Sequence, residues 1–537
     1  MSVADTVIVL WGWRRLGLAL VSGAVSALAF PPLNAAPVLL ITIPVFIWLI
    51  DGSVTSERAF PLRRLLPAAA IGWWFGFGFF LGGLWWIGAA FLVDADEFAW
   101  LMPIAVVALP AGLALFWAFG AALARVFWSD GWPRILVFAI AMTAAEWLRG
   151  HLFGGFPWNA VGYALMPLPV LMQGAALVGV WGMTFLAFLV FSLPALIVGG
   201  SPRDRGGRYA LLTVIVVLFL ADLGYGTVRL HRAEDAYVPD VRFRLVQPAI
   251  NQSEKWQKGR ATEIFNRILE TSRTSLVPGR SGLTGITHLV WPESSIPFLL
   301  TEQPDALRAI ADLLPPGSTL IAGAVRATPP NPTTAKRQFF NSIYVISDDG
   351  EIREAYDKVH LVPFGEYLPF QETLESWGIR QLTRLPGGFS AGASRRNLPL
   401  ANAPSFAPLI CYEAIFPGEV LGPGPRPGFL LNVTNDAWYG NTPGPGQHLR
   451  LSQLRAVEEG LPLVRTANNG ISAIIDPYGR IHTSLGLGLA GVVEGGLPVA
   501  LPPTLYAQQG ERPFLGVLLI AAVAAGFGRF RLRSRNN

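Results

Sequence analysis

The chain has 537 residues, too many for one ordinary globular domain, so more than one domain is expected. Hydrophobic residues make up 52% and charged residues only 14%, which excludes an ordinary soluble protein, where about a quarter of the residues are charged. The net charge of +5 comes from arginines scattered over short loops and not from a basic stripe interleaved with aromatic residues, so no nucleic-acid partner is predicted.

The N-terminal part of the chain consists of apolar runs separated by short polar loops. A helix needs about 20 apolar residues to cross a bilayer. The first run has no small-residue cleavage site before the next one, so it is interpreted as an anchor and not as a removed signal peptide. The eight predicted spans lie at residues 16–32, 36–51, 66–93, 101–127, 133–150, 171–200, 210–228 and 513–530.

Arginines mark the loops on one predicted side of the membrane. They precede the first span and recur in the loops at 51–65, 128–134 and 201–208, whereas the loop at 93–99 is acidic. By the positive-inside rule the arginine-rich loops are cytoplasmic. The long polar segment at 229–510 is therefore predicted to lie outside the cytoplasm.

Two ionisable residues, Glu146 and Arg149, stand near the end of one predicted span. An ionisable residue inside a membrane is a candidate functional group. Their separation of three positions places them on one helix face, so we predict that they pair with each other.

Short apolar runs alternate with amphipathic stretches in the polar segment, a pattern that predicts a layered α/β domain. The predicted strands lie at 242–246, 287–291, 319–324, 342–347, 407–410, 428–433 and 472–475. The predicted helices lie at 261–275, 305–313 and 447–459.

Cys411 is the only cysteine of the chain, so no internal disulfide is possible. It ends a strand-like run, and Glu413 follows two residues later. A single cysteine commonly packs as a small hydrophobic residue. An unpaired thiol is a liability in an oxidising compartment, however, and its presence in the extracytoplasmic segment favours a reactive role.

Two further segments supply a carboxylate and an ammonium group. Glu293 follows a predicted strand in Trp-Pro-Glu, where Pro292 is expected to end the strand and leave the carboxylate at its terminus. Lys358 is one of only four lysines among 41 basic residues, which indicates a need for a point charge that can release a proton. Glu366 ends the same motif, either as a carboxylate that orients Lys358 or as a turn residue.

Together these groups indicate a thiol nucleophile with an acid/base apparatus. A thiol with an ordinary pKa near 8.5 is mostly protonated at neutral pH and needs a base or a nearby cation. A desolvated glutamate serves as the base, and a lysine stabilises a thiolate and an oxyanion. His360 and His448 remain alternative partners of the thiol. The sequence shows no paired His and Cys pattern for zinc, so neither a metal nor a cofactor is predicted.

Two short patterns that match other chemistries are set aside. Residues 388–392 fit the Gly-x-Ser-x-Gly elbow of serine hydrolases, but Pro386 and Pro399 flank them where a strand and a helix are required. Residues 486–491 fit a dinucleotide-binding fingerprint, but a short apolar run follows them and not a helix. Both segments are predicted to be loops.

The motifs Trp-Pro-Glu, Tyr-x-Lys-x-x-Leu-Val-Pro-Phe-Gly-Glu and Ile-Cys-Tyr-Glu, in this order, resemble the nitrilase (carbon–nitrogen hydrolase) superfamily. With a membrane bundle around them, the chain resembles the apolipoprotein N-acyltransferase family over its whole length. Residues 435–440, residues 465–470 and the Lys255-Trp256 pair also fit that pattern. The resemblance implies an α-helical membrane bundle of eight transmembrane helices with a nitrilase-like α-β-β-α sandwich. The implied regions are a membrane domain at 1–228, a catalytic domain at 229–510, and a last span with a basic tail at 511–537.

The resemblance also implies roles for individual residues. Glu293, Lys358 and Cys411 form the implied catalytic triad. Glu366 and Glu413 are the implied supporting carboxylates, and the backbone N–H of Tyr412 is an implied oxyanion donor. The implied substrate-binding residues are Trp256, Trp438 and Asn341.

The implied reaction transfers an acyl chain from a membrane phospholipid, through a thioester, to the α-amino group of a diacylglyceryl-modified lipoprotein. The implied enzyme is a monomer of the bacterial inner membrane, with its catalytic domain on the periplasmic side of the bilayer. A membrane-anchored amidase or nitrilase for a small substrate is an alternative, although eight spans exceed what an anchor requires. A non-enzymatic transporter or receptor is a second alternative, but a transport path requires more inward-facing ionisable residues.

Overall fold

The computed structural model describes residues 2–53, 61–198, 204–255, 257, 259–276, 282–332, 336–383 and 387–534. The chain forms two compact units. The first unit comprises Met1–Gly88, Pro103–Ala233 and Pro503–Asn537, and the second comprises Ala89–Met102 and Glu234–Pro502.

The first unit is built from α-helices joined by short 3-10 turns. Among the described residues, five helical segments are long and apolar enough to cross a membrane: Leu66–Leu92, Ala95–Val126, Pro133–Gly154, Arg205–His231 and Arg512–Leu532. The α-helices assigned to this part of the chain are Val3–Ile8, Gly12–Ser26, Leu39–Asp51, Leu66–Leu84, Met102–Val126, Pro133–His151, Pro169–Met172, Ala175–Phe191, Leu193–Ile197, Arg205–His231, Leu505–Gln509 and Arg512–Ser534.

Five of the eight predicted spans thus correspond to helices of membrane-spanning length, and the count of eight stays a prediction. The other three runs form the shorter helices Gly12–Ser26, Leu39–Asp51 and Ala175–Phe191. In the last of these, Gly179 interrupts the helical geometry with φ 63°. A Cβ at Gly179 would lie 2.3 Å from the ring of Tyr506, so this position requires glycine.

The predicted pair of Glu146 and Arg149 is confirmed. Arg149 Nη2 lies 2.7 Å from Glu146 Oε2, and both side chains are fully buried. Trp117 Nε1 donates to Glu146 Oε1 at 2.6 Å, and Arg149 Nη1 donates to the carbonyl of Trp158 at 3.0 Å. These partners satisfy the pair inside the bundle, as buried charges require.

Within the part of the chain that the structure describes, the second unit contains two six-stranded β-sheets. In the first sheet the strand order is β12-β1-β2-β3-β4-β5, and in the second it is β11-β10-β9-β8-β7-β6. The strands are β1 (Tyr237–Gln247), β2 (His288–Ile296), β3 (Thr319–Ala327), β4 (Phe339–Ser347), β5 (Ile352–Asp357), β6 (Leu398–Leu400), β7 (Ala403–Ile410), β8 (Phe429–Thr434), β9 (Leu463–Ala467), β10 (Ser472–Ile475), β11 (Ile481–Leu485) and β12 (Gly491–Pro498).

The two sheets share one pattern of strand directions. In each, three neighbouring strands are parallel, and antiparallel strands flank them, one on one side and two on the other. The parallel strands are β1-β2-β3 and β7-β8-β9. The strands β2, β8 and β9 are buried along their whole length, as expected for parallel strands covered on both faces.

The sheets pack face to face with helices on their outer faces, which is an α-β-β-α sandwich. One apolar core joins the two sheets through side chains such as Phe243 and Ile321 of the first and Phe406 and Phe429 of the second. Two further cores lie on the outer faces, beneath helices of the same unit. The first of these cores contains side chains of the helices Ala261–Arg273 and Pro304–Leu313, and the second contains side chains of the helix Gly444–Glu459. The short α-helices Ala95–Phe98, Gln252–Lys255 and Gln371–Ser376 also belong to this unit. The nitrilase-like sandwich implied by the resemblance is therefore present.

Candidate active site

The predicted reactive residues collect at the carboxyl ends of parallel strands, where α/β folds build their sites. Glu293 lies in the second half of β2, and Cys411 directly follows β7. Asp436 follows β8, and Lys358 follows the antiparallel strand β5.

Glu293 lies in a large bulge of β2. Trp291 pairs with Ala322 of β3, but the next pair joins Ile296 to Ala324, so four residues of β2 stand opposite Gly323 alone. Ser294, within the bulge, has φ 46°. The prediction that Pro292 ends the strand was therefore wrong. Proline removes one ladder donor, and the chain bulges at that point and then rejoins the sheet.

Gly323 leaves the space that this bulge occupies. A Cβ at Gly323 would lie 2.5 Å from the carbonyl oxygen of Pro292 and 2.6 Å from Cα of Glu293. We expect Gly323→Ala to displace Glu293, to lower the free energy of unfolding by about 1–3 kcal/mol, and to abolish most activity. Thermal unfolding and acyl transfer of the purified variant test this. Gly486→Ala is the control for glycine replacement, because Gly486 also lacks a positive φ and its Cβ would meet only the Leu489 side chain, at 3.8 Å. A fully active Gly323→Ala variant would contradict the account.

Lys358 is shared by two buried carboxylates. Its Nζ lies 2.8 Å from Glu366 Oε2 and 3.7 Å from Glu293 Oε1, and the side chain is 1% exposed. Glu366 Oε2 also accepts the backbone N–H of Val362 at 2.8 Å. Glu366 is therefore not a solvated turn residue, and its position fits a carboxylate that orients Lys358.

Asn341 of β4 bridges the same two carboxylates. Its Nδ2 donates to Glu293 Oε1 at 2.7 Å and to Glu366 Oε1 at 2.9 Å. Carboxylate oxygens accept hydrogen bonds, so the Asn341 amide must point its NH₂ group, and not its oxygen, toward Glu293 and Glu366. The Oδ1 atom on its other side is buried and has no hydrogen-bond partner among the described residues.

Burial and charge act in opposite directions on these groups. Burial raises the pKa of Glu293, and Lys358 only partly offsets that effect, so the carboxyl titrates above its usual range. Burial alone lowers the pKa of Lys358, but Glu366, Glu293 and Cys411 together outweigh it and raise that pKa. Lys358 is therefore a permanent cation, and Glu293, whose pKa is raised, is the group of this pair that can exchange a proton.

Cys411 occupies a sharp turn between β7 and the 3-10 helix Cys411–Ile415. Its backbone has φ 50°, a left-handed conformation that is uncommon for a residue with a side chain and that marks functional sites. Burial raises the pKa of the thiol to about 12, with Glu293 adding to the effect and Lys358 opposing it. The resting nucleophile is thus a neutral thiol beside a carboxylate and an ammonium group.

A buried polar network fixes the backbone of this turn. His448 Nε2 donates to the carbonyl of Cys411 at 3.1 Å, and His448 Nδ1 lies 2.8 Å from Asp436 Oδ1. Arg465 Nη2 donates to Asp436 Oδ2 at 2.7 Å. The Arg465 guanidinium also binds Asn432, whose own amide donates to the carbonyl of Leu409 at 3.0 Å.

Glu413 joins the nucleophile turn to the lysine loop. Its Oε2 accepts the backbone N–H of Ile410 at 2.8 Å. Its Oε1 accepts the N–H of Val359 at 2.9 Å and the hydroxyl of Tyr356 at 3.0 Å. Glu413 therefore acts on the site through the backbone, because its two oxygens hold Cys411 and Lys358 at a fixed separation.

The two histidines named as alternative partners have other contacts. His360 stacks on Phe416 with ring centroids 3.8 Å apart and lies 5.6 Å from the ring of Tyr412. His448 uses its ring nitrogens on the Cys411 carbonyl and on Asp436. Among the described residues, Cys411, Asp436 and His448 group their potential metal-ligand atoms within 4.8 Å. Arg465 already supplies the cation at Asp436, so this group fits a structural network better than a metal.

The two predicted substrate-binding tryptophans and the two predicted loops remain to be located in the structure. Trp438 is partly exposed on the 3-10 turn Asp436–Tyr439, next to the network. Trp256 lies outside the described residues. Residues 388–392 form a loop that is hydrogen-bonded to the backbone of the lysine segment: Phe389 N donates to the carbonyl of Glu366 at 2.8 Å, and Gly392 N donates to that of Lys358 at 2.7 Å. Residues 486–490 connect β11 to β12. The prediction that both segments are loops is confirmed.

Two residues of the site were not assigned from the sequence. Lys255 is buried, and its Nζ donates to the backbone carbonyl of Glu293 at 3.3 Å. The Tyr439 side chain hydrogen-bonds the Cys411 thiol, and burial raises the pKa of Tyr439 well above its usual range. The scarcity of lysine, which drew attention to Lys358, applied equally to Lys255.

Comparisons with known proteins show the family of this chain. The family profile described as the apolipoprotein N-acyltransferase N-terminal domain matches residues 22–193, and the carbon-nitrogen hydrolase profile matches residues 245–500. The apolipoprotein N-acyltransferase of Rhodopseudomonas palustris is 48% identical over 97% of this chain and 96% of its own length. That of Bradyrhizobium diazoefficiens is 49% identical over 98% of this chain and 97% of its own length. The chain therefore belongs to the apolipoprotein N-acyltransferase family.

Proposed function

We propose that this membrane enzyme carries an acyl chain on Cys411 between two lipids. In the first half-reaction Glu293 accepts the thiol proton while the sulfur attacks an ester carbonyl of a phospholipid. The tetrahedral intermediate collapses, the ester C–O bond breaks, and Glu293 returns its proton to the departing lysophospholipid. The product is a thioester on Cys411.

In the second half-reaction the neutral α-amino group of a diacylglyceryl-modified N-terminal cysteine attacks the thioester. Glu293 accepts a proton from the attacking nitrogen, the C–S bond breaks, and Glu293 passes that proton to the departing Cys411 sulfur. An amide forms. A thioester is activated toward amines, whereas the amide product is stable, so transfer proceeds in one direction.

The observation that carries this proposal is the placement of a neutral, buried thiol beside the buried Glu293–Lys358 pair. A thiol whose pKa lies at about 12 is inert until a base removes its proton during attack. Lys358, as a permanent cation, and the backbone N–H of Tyr412 are the proposed partners of the oxyanion. The base, the nucleophile and the cation thus lie in one site, as acyl transfer requires.

The proposed setting is the bacterial inner membrane, with eight spans and with the catalytic domain on the periplasmic side. Five helical segments of spanning length support a multi-pass protein, and the arginine-rich loops support the orientation. Both proposed substrates are lipids, so a monomer with its catalytic domain at the bilayer reaches them without a carrier. Trp256 and Trp438 are the proposed contacts with acyl chains.

A transfer assay separates this function from an amidase. The full-length protein in liposomes receives a phospholipid labelled in its acyl chain and a diacylglyceryl lipopeptide with a free N-terminus. We expect label in the lipopeptide as an amide, with equimolar lysophospholipid, and no ammonia from small amides. Label released as free fatty acid in the presence of the lipopeptide, or ammonia from an amide, would support a hydrolase.

We also propose that Asn341 Oδ1, which has no partner among the described residues, accepts an N–H of the incoming amine. Asn341→Ala is expected to slow acylation of Cys411 by about 10–100-fold, because both carboxylates lose a donor, and to raise the KM for the lipopeptide. Steady-state kinetics with each substrate varied in turn measures both effects. An unchanged lipopeptide KM would limit Asn341 to orienting the carboxylates.

A further inference from the structure

Lys255 is a second buried ammonium group at the catalytic carboxylate. It ends the short helix Gln252–Lys255, which follows the carboxyl end of β1, the strand beside β2. Its side chain is 2% exposed, and its Nζ donates to the backbone carbonyl of Glu293 at 3.3 Å. It also attracts the Glu293 carboxylate electrostatically.

The charge balance of the site explains why a buried lysine is retained there. Among the described residues, the ionisable side chains around Glu293 come from four segments: Lys255 from the helix after β1, Lys358 and Glu366 from the segment after β5, Cys411 from the turn after β7, and Tyr439 from the 3-10 turn after β8. The Cys411 thiol and the Tyr439 hydroxyl are neutral, because burial raises the pKa of both groups. Without Lys255, two carboxylates would share one ammonium group in a buried site, and the net charge would be negative. Uncompensated buried charge is costly, and Lys255 brings the sum to zero.

We propose that Lys255 is a positioning residue that keeps Glu293 ionised, and therefore competent as the base, as the pH falls. It acts through Glu293 in two ways: its hydrogen bond fixes the backbone of the bulge, and its charge favours the carboxylate over the carboxylic acid. This inference rests on the proposed role of Glu293 and adds the control of its protonation.

The pH range of the effect follows from the charges of Lys255 and Glu293. Burial lowers the pKa of Lys255 to about 8, and Glu293 opposes that shift. Below that pH the lysine is charged and stabilises the Glu293 carboxylate, so it holds the pKa of Glu293 down. Removing the charge lets the pKa of Glu293 rise further, and the acid limb of the activity profile moves to higher pH. Above about pH 8 the lysine loses its proton, and the effect disappears.

The test measures the pH dependence of the first half-reaction, as lysophospholipid released by the full-length enzyme from phospholipid alone. Lys255→Gln keeps an N–H donor for the Glu293 carbonyl but removes the charge, and Lys255→Arg keeps the charge. We expect Lys255→Gln to shift the acid limb of the pH profile to higher pH, with a loss of roughly tenfold on that limb that shrinks toward pH 9. Lys255→Arg is expected to retain the acid limb of the wild-type pH profile. Lys336→Gln, at an exposed position, is the control for the loss of one positive charge.

Three outcomes would contradict the proposed role of Lys255 or the proposed function. An equal loss by Lys255→Gln at every pH, with a lowered Tm, would mean that Lys255 only supports the fold. An equal shift of the acid limb of the pH profile in Lys255→Arg and Lys255→Gln would refute the electrostatic role. A wild-type enzyme that releases no lysophospholipid, or that shows no acid limb, would overturn the proposed function itself.

Discussion

Cys411→Ala is expected to reduce acyl transfer by on the order of 10⁴-fold or more, because removal of a nucleophile eliminates the covalent route. The substitution removes one buried atom, so the fold should persist. Cys411→Ser is also expected to be inactive, since a hydroxyl at this position is a far weaker nucleophile than a thiol and leaves as a far poorer leaving group. Transfer of labelled acyl chains to a lipopeptide measures both variants.

Ser390→Ala is the matched control for this experiment. Ser390 lies in the loop that fits the serine-hydrolase pattern. Its backbone N–H donates to the carbonyl of Phe339 at 2.7 Å, and alanine preserves this backbone hydrogen bond. We expect nearly wild-type activity. An inactive Ser390→Ala together with an active Cys411→Ser would transfer the nucleophile to Ser390 and contradict the account.

Glu293→Gln is expected to reduce acylation of Cys411 by about 10²–10⁴-fold, the usual contribution of a general base. The amide keeps the shape of the side chain but cannot accept the thiol proton. The elevated pKa of Glu293 adds a further expectation for the wild-type enzyme. Activity should fall as the pH drops through a value above the ordinary glutamate range, because the protonated carboxyl is no longer a base.

Glu354→Gln is a suitable control for Glu293→Gln. Glu354 lies on β5 and pairs with Arg396 at 2.9 Å on the surface of the domain. The variant loses one carboxylate without touching the site. Unimpaired acylation by Glu293→Gln at any pH would assign the base to another residue.

The catalytic fold was largely predictable because its central strands are continuous apolar runs. The predicted strand at 428–433 appears as β8, Phe429–Thr434, and the predicted helix at 305–313 appears as Pro304–Leu313. Strands such as β11, Ile481–Leu485, were missed because they are polar and half exposed, and pairing with β10 holds them in place. The matching pattern of the two sheets was also invisible, since no sequence repeat accompanies it.

Site residues that lie in a sequence motif were predictable. Residues that reach the site only through the pairing of strands were not. Glu293, Lys358 and Cys411 were named from their motifs, and the structure brings them together. The bulge that presents Glu293 depends on Gly323 of the neighbouring strand, which lies 30 positions along the chain. Lys255 reaches the site only because β1 lies beside β2, a pairing that no local pattern encodes.

The central claim is that Cys411 carries the acyl chain, and one mass measurement tests it most directly. Full-length enzyme is incubated with a phospholipid of defined acyl chain and no acceptor, then digested, and the peptide that contains Cys411 is analysed. The account predicts a mass increase of one acyl chain on Cys411, which hydroxylamine removes and which disappears when the lipopeptide is added. Turnover with both substrates but no acyl adduct on Cys411 in either condition would contradict it.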